Sequence, residues 1–254
     1  MNGYEVVAII PARYGSTRLP GKPLAAIDGI PMVVRVWRQA IGARQFARVL
    51  VATDDQRIAA AARQAGAEVA MTSERHPSGT DRVAEVARSI EAEVFVNVQG
   101  DLPFIASEDL DALAAAMRAE RGLEMATLAT PIGSSEEWRN PNVVKVVCDL
   151  SGNALYFSRS PIPCPREGAF PAGALRHIGV YAFRRDFLLR FAELKPGRLE
   201  QVEKLEQLRA LENGCRIRVI AAGTASLEVD TQEDLARAVT FARGYGAAQT
   251  GENQ

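Results

Sequence analysis

The fold is decided by Val6-Val7-Ala8-Ile9-Ile10, an unbroken apolar run that ends at Pro11. Five consecutive apolar residues indicate a strand that is buried on both faces. Similar short runs recur along the chain, at Val49–Ala52, Val69–Met71, Val94–Val98, Met125–Leu128 and Val143–Val147. Segments with helical spacing lie between these runs. Because strands alternate with helices, we predict an α/β fold with a mainly parallel, mixed sheet that is flanked by helices.

The second half of the chain predicts further helices. Ser107 is of a residue type that caps helix N-termini, and Glu108 and Asp109 follow it in the predicted first turn. Leu199–Glu212 predicts one continuous helix, because apolar residues recur along it at helical spacing. The buried stripe of that helix is predicted to consist of Val202, Leu205, Leu208 and Leu211.

Short strands and a last helix are predicted near the C-terminus. The strands are Arg216–Ile220 and Leu227–Val229, and Thr231 then caps a helix that ends near Arg243. With no clear linker in the sequence, we predict a single domain over residues 1–243 and a flexible tail over residues 244–254.

Composition favours a soluble cytoplasmic protein. The chain has 254 residues, of which 47% are hydrophobic and 24% charged, and its formal net charge is -1. This composition excludes a disordered chain, and the balanced charge disfavours nucleic acid as a partner. No apolar run approaches the roughly 18 residues of a membrane-spanning helix, so no membrane partner is expected. Three well-separated cysteines favour a reducing compartment.

A basic loop follows the first predicted strand. It carries Arg13, Arg18 and Lys22 at the carboxyl end of that strand, where open α/β sheets bind their ligands. Its glycines allow backbone N–H groups to approach phosphate, and its three cations would offset the charge of a triphosphate. It is not a Walker loop, because proline follows Lys22, and it lacks the dinucleotide fingerprint. A solvated basic turn is an equally weighted alternative.

Two aspartates follow predicted strands and suggest a metal site. Asp101 comes after Val94–Val98, and Asp230 comes after Leu227–Val229. Hard carboxylate oxygens at strand ends are suitable ligands for Mg²⁺ against nucleotide phosphates. For Asp101 a turn aspartate is the alternative, and for Asp230 it is a helix cap.

Two further features have both ordinary and functional interpretations. Small polar residues over Ser78–Arg82 suit contacts with a base, sugar or phosphate, but they also make an ordinary helix start. His177 lies in a predicted buried strand, where a lone histidine is more often a hydrogen-bonded core residue than a catalyst. Since His76 is the only other histidine, acyl transfer through a Ser–His–Asp series and zinc chemistry are both disfavoured.

Motifs in order over about Val6–Leu235 resemble those of the nucleotide-sugar cytidylyltransferases, and the later ones favour the members that activate the sugar acid 3-deoxy-manno-octulosonate (Kdo). The motifs are Ile10–Leu24, Val51–Asp54, Ser78–Arg82, Asn97–Asp101, Ala154–Arg159, Arg176–Tyr181, Leu205–Arg209 and Val229–Thr231. The resemblance implies a Rossmann-like fold of the nucleotide-diphospho-sugar transferase type. It also implies a sugar-binding and dimerisation part at about 130–215, and a homodimer.

The resemblance implies a Mg²⁺-dependent reaction in which CTP and Kdo give CMP-Kdo and pyrophosphate. It places catalytic roles on Arg13, Lys22, Asp101 and Asp230, of which the two aspartates hold the metal. It places nucleotide binding on Ala12, Arg13, Gly15, Ser16, Lys22, Ser78, Gly79, Thr80, Arg82 and Gln99. It places sugar binding on Gln99, Arg159, His177, Tyr181, Glu206 and Gln207. A forked guanidinium at Arg159 suits the Kdo carboxylate.

Two departures from the family pattern concern the acceptor. Leu102 stands where many members have an acidic residue, and Gln201 stands where some have histidine. These departures leave the 8-amino form of Kdo open as the acceptor. A nonulosonic acid or a sugar phosphate is a further alternative, but a sugar phosphate would require more cations around the acceptor, whereas Arg159 with one histidine suits a single carboxylate better. The alternative outside the enzymes is a non-catalytic nucleotide-binding module, which the retention of Lys22, Asp101 and Asp230 disfavours.

Overall fold

The computed structural model describes residues 5–15, 18–167, 169–223 and 227–250. Its strands are β1 Val6–Ala12, β2 Ala26–Ile27, β3 Ile30–Pro31, β4 Arg48–Thr53, β5 Glu68–Met71, β6 Val94–Asn97, β7 Met125–Pro131, β8 Lys145–Cys148, β9 Ala154–Ser158, β10 Leu175–Arg184 and β11 Ile217–Ala221. Its α-helices are α1 Met32–Gly42, α2 Gln56–Gln64, α3 Gly79–Arg88, α4 Ser107–Ala119, α5 Ser135–Arg139, α6 Arg185–Glu193, α7 Arg198–Glu203, α8 Leu208–Glu212 and α9 Gln232–Thr250.

Within the described residues, the main sheet has nine strands in the order β11-β7-β10-β6-β1-β4-β5, with β8 joining β10 and β9 joining β8. β1 pairs in parallel with β4 and β6, and β4 pairs in parallel with β5. β10 lies antiparallel between β6 and β7. The sheet is therefore mixed, with a parallel half around β1 and an antiparallel half around β10.

β1 is buried on both faces, as its unbroken apolar run predicts. Val6, Ala8 and Ile10 pack into the core that contains the apolar faces of α1 and α4. Val7 and Ile9 point the opposite way, into the core that contains the apolar faces of α3 and α6. Burying each Val or Ile stabilises the fold by about 1.5–3 kcal/mol, so β1 anchors both layers.

The prediction of one continuous helix over Leu199–Glu212 is wrong, because the chain forms two short helices there, α7 and α8. α7 ends at Glu203, because the next residue, Lys204, has a left-handed φ of 55° that cannot continue a helix. Val202, a predicted core residue, is 75% exposed. The turn that follows the break contacts α3 and β10. There, Glu206 accepts a hydrogen bond from Thr80, and Gln207 accepts one from Tyr181.

Three smaller predictions are corrected near helix ends. Ser107 does not cap α4, since its hydroxyl donates to the Gln39 carbonyl of α1 instead. Leu227–Val229 forms no strand, although the Val229 N–H donates to the Asp101 carbonyl. Thr231 does cap α9, accepting from the Asp234 N–H, but the helix runs to Thr250 rather than ending near Arg243.

The helix continues past Gly244 and Gly246, since each helical glycine costs only about 1 kcal/mol relative to alanine. Of the predicted flexible tail, residues 251–254 lie outside the described residues. No helix in the described ranges is long and apolar enough to cross a membrane.

Candidate functional site

The loop after β1 folds back on itself at Gly21. Gly21 has a φ of 69°, which favours glycine, and its N–H donates to the Tyr14 carbonyl at 3.2 Å. The Arg57 guanidinium lies over the Tyr14 ring, 3.4 Å from the centroid. This fold-back directs the next residue, Lys22, into a cleft at the carboxyl end of the sheet.

Lys22 lies between the two aspartates that were predicted as metal ligands. Its Nζ is 2.8 Å from Asp101 Oδ2 and 3.0 Å from Asp230 Oδ1, and its side chain is 16% exposed. Burial acts to lower the pKa of Lys22, but the two carboxylates outweigh burial and raise it. Arg18 also pairs with Asp230, at 3.0 Å. The two aspartates therefore lie at one centre, although they are 129 positions apart in the sequence.

A third carboxylate, Glu228, belongs to the same centre. One carboxylate oxygen each of Asp101, Glu228 and Asp230 lies within 4.8 Å of the others. Glu228 keeps solvent access but has protein atoms on most sides, so desolvation, with the charges of Asp101 and Asp230, raises its pKa to about 7. Sequence reasoning missed Glu228. Its signal was an acidic residue two positions before Asp230, where extended backbone places both side chains on one side.

The first cavity, of about 290 Å³, contains the predicted nucleotide-binding residues. Those that line it are Ala12, Arg13, Gly15, Lys22, Ser78, Gly79, Arg82 and Gln99. Ser78 caps α3 by accepting from the Asp81 N–H, so the positive end of this helix faces the cavity. Arg82 is buried and pairs with Asp54 at 3.4 Å. Ser16, also predicted here, lies outside the described residues.

Thr80, another predicted nucleotide-binding residue, is positioned differently. Its side chain is buried, and its hydroxyl donates to Glu206 Oε2 at 2.5 Å. Thr80 Oγ1 in turn accepts a hydrogen bond from Asn97 Nδ2 at 3.2 Å. Thr80 therefore connects the start of α3 to the turn between α7 and α8, and its side chain does not line the first cavity.

The second cavity, of about 280 Å³, gathers all six predicted sugar-binding residues. They are Gln99, Arg159, His177, Tyr181, Glu206 and Gln207. Arg159 is held by main-chain oxygens: its Nε donates to the Glu203 carbonyl at 2.8 Å, and its Nη1 donates to the Pro141 carbonyl at 3.1 Å. Burial raises the pKa of Glu206, whereas Ser78 and Thr80 stabilise its charged form.

His177 is a neutral, hydrogen-bonded residue of this cavity. Burial, with the nearby charge of Arg176, lowers the pKa of His177 to about 3. Its Nε2 lies 2.9 Å from Thr127 Oγ1, which itself donates to the Val180 carbonyl at 2.7 Å. Since a hydroxyl has one hydrogen, Nε2 is the donor to Thr127, and Nδ1 is left as an acceptor. His177 therefore carries no positive charge near neutral pH and does not act as a general acid there.

The two cavities meet at the carboxylate centre. Arg18, Gln99, Asp101 and Asp230 line both of them. One cavity is surrounded by cations and a helix N-terminus, which suit a polyphosphate. The other presents mixed hydrogen-bonding groups and a guanidinium, which suit a polar acid. The arrangement can hold a polyphosphate and an acid substrate with their reacting atoms at the shared edge.

Comparison with known proteins gives consistent results over nearly the whole chain. The cytidylyltransferase family model matches residues 7–217. The chain is 51% identical over 248 residues to the 3-deoxy-manno-octulosonate cytidylyltransferase of Syntrophotalea carbinolica, with 94% of this chain and 99% of that protein covered. It is also 51% identical over 241 residues to the protein of the same name from Geobacter sulfurreducens, with 91% and 96% covered.

Solved structures agree with the predicted fold class. A CMP:2-keto-3-deoxy-manno-octonic acid synthetase complexed with CTP is similar to this chain with a TM-score of 0.90 and 43% identity, covering 95% of this chain and 99% of that one. A 4-diphosphocytidyl-2C-methyl-D-erythritol synthase from Anaerococcus prevotii has a TM-score of 0.62 at 14% identity, covering 94% and 98%. This second likeness concerns the fold alone. The predicted fold class, a mixed sheet of the nucleotidyltransferase type, is confirmed.

Proposed function

The chain belongs to the cytidylyltransferase family, and from this membership we propose that it transfers CMP from CTP to the anomeric hydroxyl of Kdo, with release of pyrophosphate. The observation that carries the proposal is the meeting of two cavities at the carboxylate centre of Asp101, Glu228 and Asp230. A transferase needs its two substrates in contact, and a nucleotide-binding module needs only the first cavity. The retained second cavity therefore favours the enzyme.

The nucleotide side positions and neutralises the triphosphate. Arg13 and Lys22 extend from the loop after β1, and the N-terminus of α3 adds backbone donors and a partial positive charge. The anomeric oxygen forms a bond to the α-phosphorus and gives up its proton to water, while the bond from that phosphorus to the pyrophosphate oxygen breaks. Fixed cations that contact the phosphates stabilise the charge that develops on the leaving pyrophosphate.

The carboxylate centre fits Mg²⁺ as a cofactor. Three carboxylates with oxygens within 4.8 Å of one another form the hard-oxygen donor set that this ion prefers, and substrate phosphates and water would supply its remaining ligands. When bound, Mg²⁺ supplies charge neutralisation and polarises phosphoryl oxygens. Asp101 and Asp230 would hold it, with Glu228 beside them. Lys22, which pairs with both aspartates, would then be available to the phosphates.

The acceptor side orients the sugar acid. Arg159 provides a cation for the sugar carboxylate, and main-chain carbonyls fix its guanidinium. Tyr181, Gln207 and the Nδ1 of His177 provide hydrogen-bonding groups for sugar hydroxyls. Because His177 is neutral, its contribution is orientation and not proton transfer.

The location, the oligomeric state and the product's use belong to the same proposal for this enzyme. We propose that it acts as a cytoplasmic homodimer and that CMP-Kdo serves lipopolysaccharide synthesis. Apolar side chains exposed on and near the β8–β9 hairpin, Leu150 and Leu155, support an interface within the predicted 130–215 part. The 8-amino form of Kdo is the alternative acceptor, because Leu102 and Gln201 depart from the family pattern.

The test is pyrophosphate release from CTP and Mg²⁺, with Kdo, 8-amino-Kdo and a nonulosonic acid compared in parallel. We expect release with Kdo and much less with the other acids. Release with another acid alone would contradict Kdo as the acceptor. CTP binding without release for any acid would contradict the transferase and favour the binding module.

A further inference from the structure

Lys145, at the start of β8, is a buried lysine that the mechanism above does not use. Lys145 is fully buried. The Nζ group donates to the carbonyls of Asn140 at 2.9 Å and Arg159 at 2.6 Å, and also to that of Val143. Neutral main-chain oxygens thus accept from all three of its N–H groups.

This arrangement is costly for a residue with only a packing role. Burial, together with the charge of Arg159, lowers the pKa of Lys145, and Glu203 partly opposes them. An apolar side chain of similar length would fill the space without the desolvation cost of a buried ammonium. The lysine is therefore explained better by the chain segments it holds than by its contribution to the core.

Those segments form one wall of the second cavity. Asn142 and Val143, in the loop before β8, line the cavity, as does Arg159 after β9. Lys145 binds the carbonyls of this loop and of Arg159, and the Arg159 side chain binds the Pro141 carbonyl of the same loop. The ammonium and the guanidinium thereby connect the same two segments.

We propose that Lys145 is a positioning residue for the acceptor, which acts by holding Arg159 and the loop 140–143 in the geometry that receives the carboxylate of the sugar acid. This inference rests on the proposed transfer of CMP to a sugar acid. It assigns Lys145 no contact with the substrate. Its effect is exerted through Arg159.

The test compares steady-state kinetics of K145M with those of the wild type. We expect the KM for Kdo to rise by about 10- to 100-fold, because small displacements of a substrate-positioning group have effects of this size. The KM for CTP should stay unchanged, since the first cavity contains none of the segments that Lys145 holds. An unchanged KM for Kdo in folded K145M would overturn the inference.

R184M is the matched control. Arg184 is also a cation that donates to three main-chain carbonyls, those of Met117, Glu120 and Leu123, but it lies outside both substrate cavities. R184M should lower the melting temperature and leave both KM values unchanged. An equal rise in the KM for Kdo in R184M would reduce the effect of Lys145 to general destabilisation and overturn the inference.

A double-variant cycle tests whether Lys145 acts through Arg159. If it does, K145M/R159M should have the same KM for Kdo as R159M alone, whereas independent roles would multiply the two effects and contradict the inference. Should K145M fail to fold by circular dichroism, K145Q replaces it with the same criteria. Wild-type pyrophosphate release with Kdo is measured first. Its absence would contradict the proposed transfer of CMP to Kdo, whereas an unchanged KM for Kdo in K145M would contradict only the role of Lys145.

Discussion

The two sides of the carboxylate centre are built in different ways. The nucleotide side consists of short continuous segments, the loop after β1, the start of α3 and the turn after β6, in the parallel half of the sheet. The acceptor side consists of single residues from β10, the end of β9 and the turn between α7 and α8. Recognition by backbone groups needs a local loop conformation, whereas recognition by side chains needs distant segments to be packed together.

The largest expected effect is at the centre that both sides share. Asp101→Asn should lower turnover by about 10³-fold, because it removes a carboxylate that we assign to the metal that neutralises transition-state charge. Pyrophosphate release measures turnover, and circular dichroism checks the fold. Asp186→Asn, which alters an exposed carboxylate of α6, is the control and should behave as the wild type. Near-normal turnover of Asp101→Asn would remove the metal assignment.

The next prediction separates the two sides. Arg159→Met should raise the KM for the sugar acid by about 100-fold and leave the KM for CTP unchanged, because it leaves the carboxylate of the bound sugar acid without its charge partner. Arg13→Met should do the reverse, because Arg13 lines only the first cavity. Initial rates at varied CTP and varied sugar acid measure both constants. If either variant changes both constants equally, the division into two sides does not hold.

A variant of Thr80 tests whether this residue belongs to the nucleotide side or to the acceptor side. Thr80→Val removes the hydroxyl that binds Glu206 and Asn97, and it leaves buried polar groups without that partner. We expect an approximately 10-fold loss in kcat/KM for the sugar acid and little change in CTP affinity, with a stability loss of about 1–3 kcal/mol. Thr53→Val, the same change in a buried threonine of β4, is the control. A selective loss of CTP affinity would return Thr80 to the nucleotide side.

The smallest effect concerns His177 and pH. The folded-state pKa of His177 is about 3, below the unfolded value near 6.5, so the unfolded state binds the extra proton as the pH falls. The stability associated with neutral His177 is complete above pH 6.5 and is lost by about 1.4 kcal/mol per pH unit from there toward pH 3.

Denaturant unfolding at pH 8 and pH 5 measures this effect. The wild type should lose about 2 kcal/mol more between these pH values than His177→Gln, whose amide can still donate to Thr127. Equal losses in the two proteins would show that His177 titrates normally in the fold, and would restore it as a candidate proton donor on the acceptor side.

The sequence by itself determined the parallel half of the fold and the position of the basic loop after β1. The apolar run of β1 predicted a doubly buried strand, and the loop from Arg13 to Lys22 was predicted at its carboxyl end. Both inferences depend on residues that are adjacent in the chain, so local periodicity and local turn chemistry were sufficient. The acceptor residues were predicted from resemblance, because no local pattern relates Arg159 to Glu206.

Only the tertiary structure decided how the remaining residues come together. The periodicity of Leu199–Glu212 predicted one helix, but the left-handed Lys204 breaks it, and buried hydrogen bonds from Thr80 and Tyr181 stabilise the turn that follows. Glu228 joins the carboxylate centre because one backbone hydrogen bond places Val229 beside Asp101. The Arg159 carbonyl reaches Lys145 because β8 pairs with β9. Such contacts join residues far apart in the chain, and local sequence patterns do not encode them.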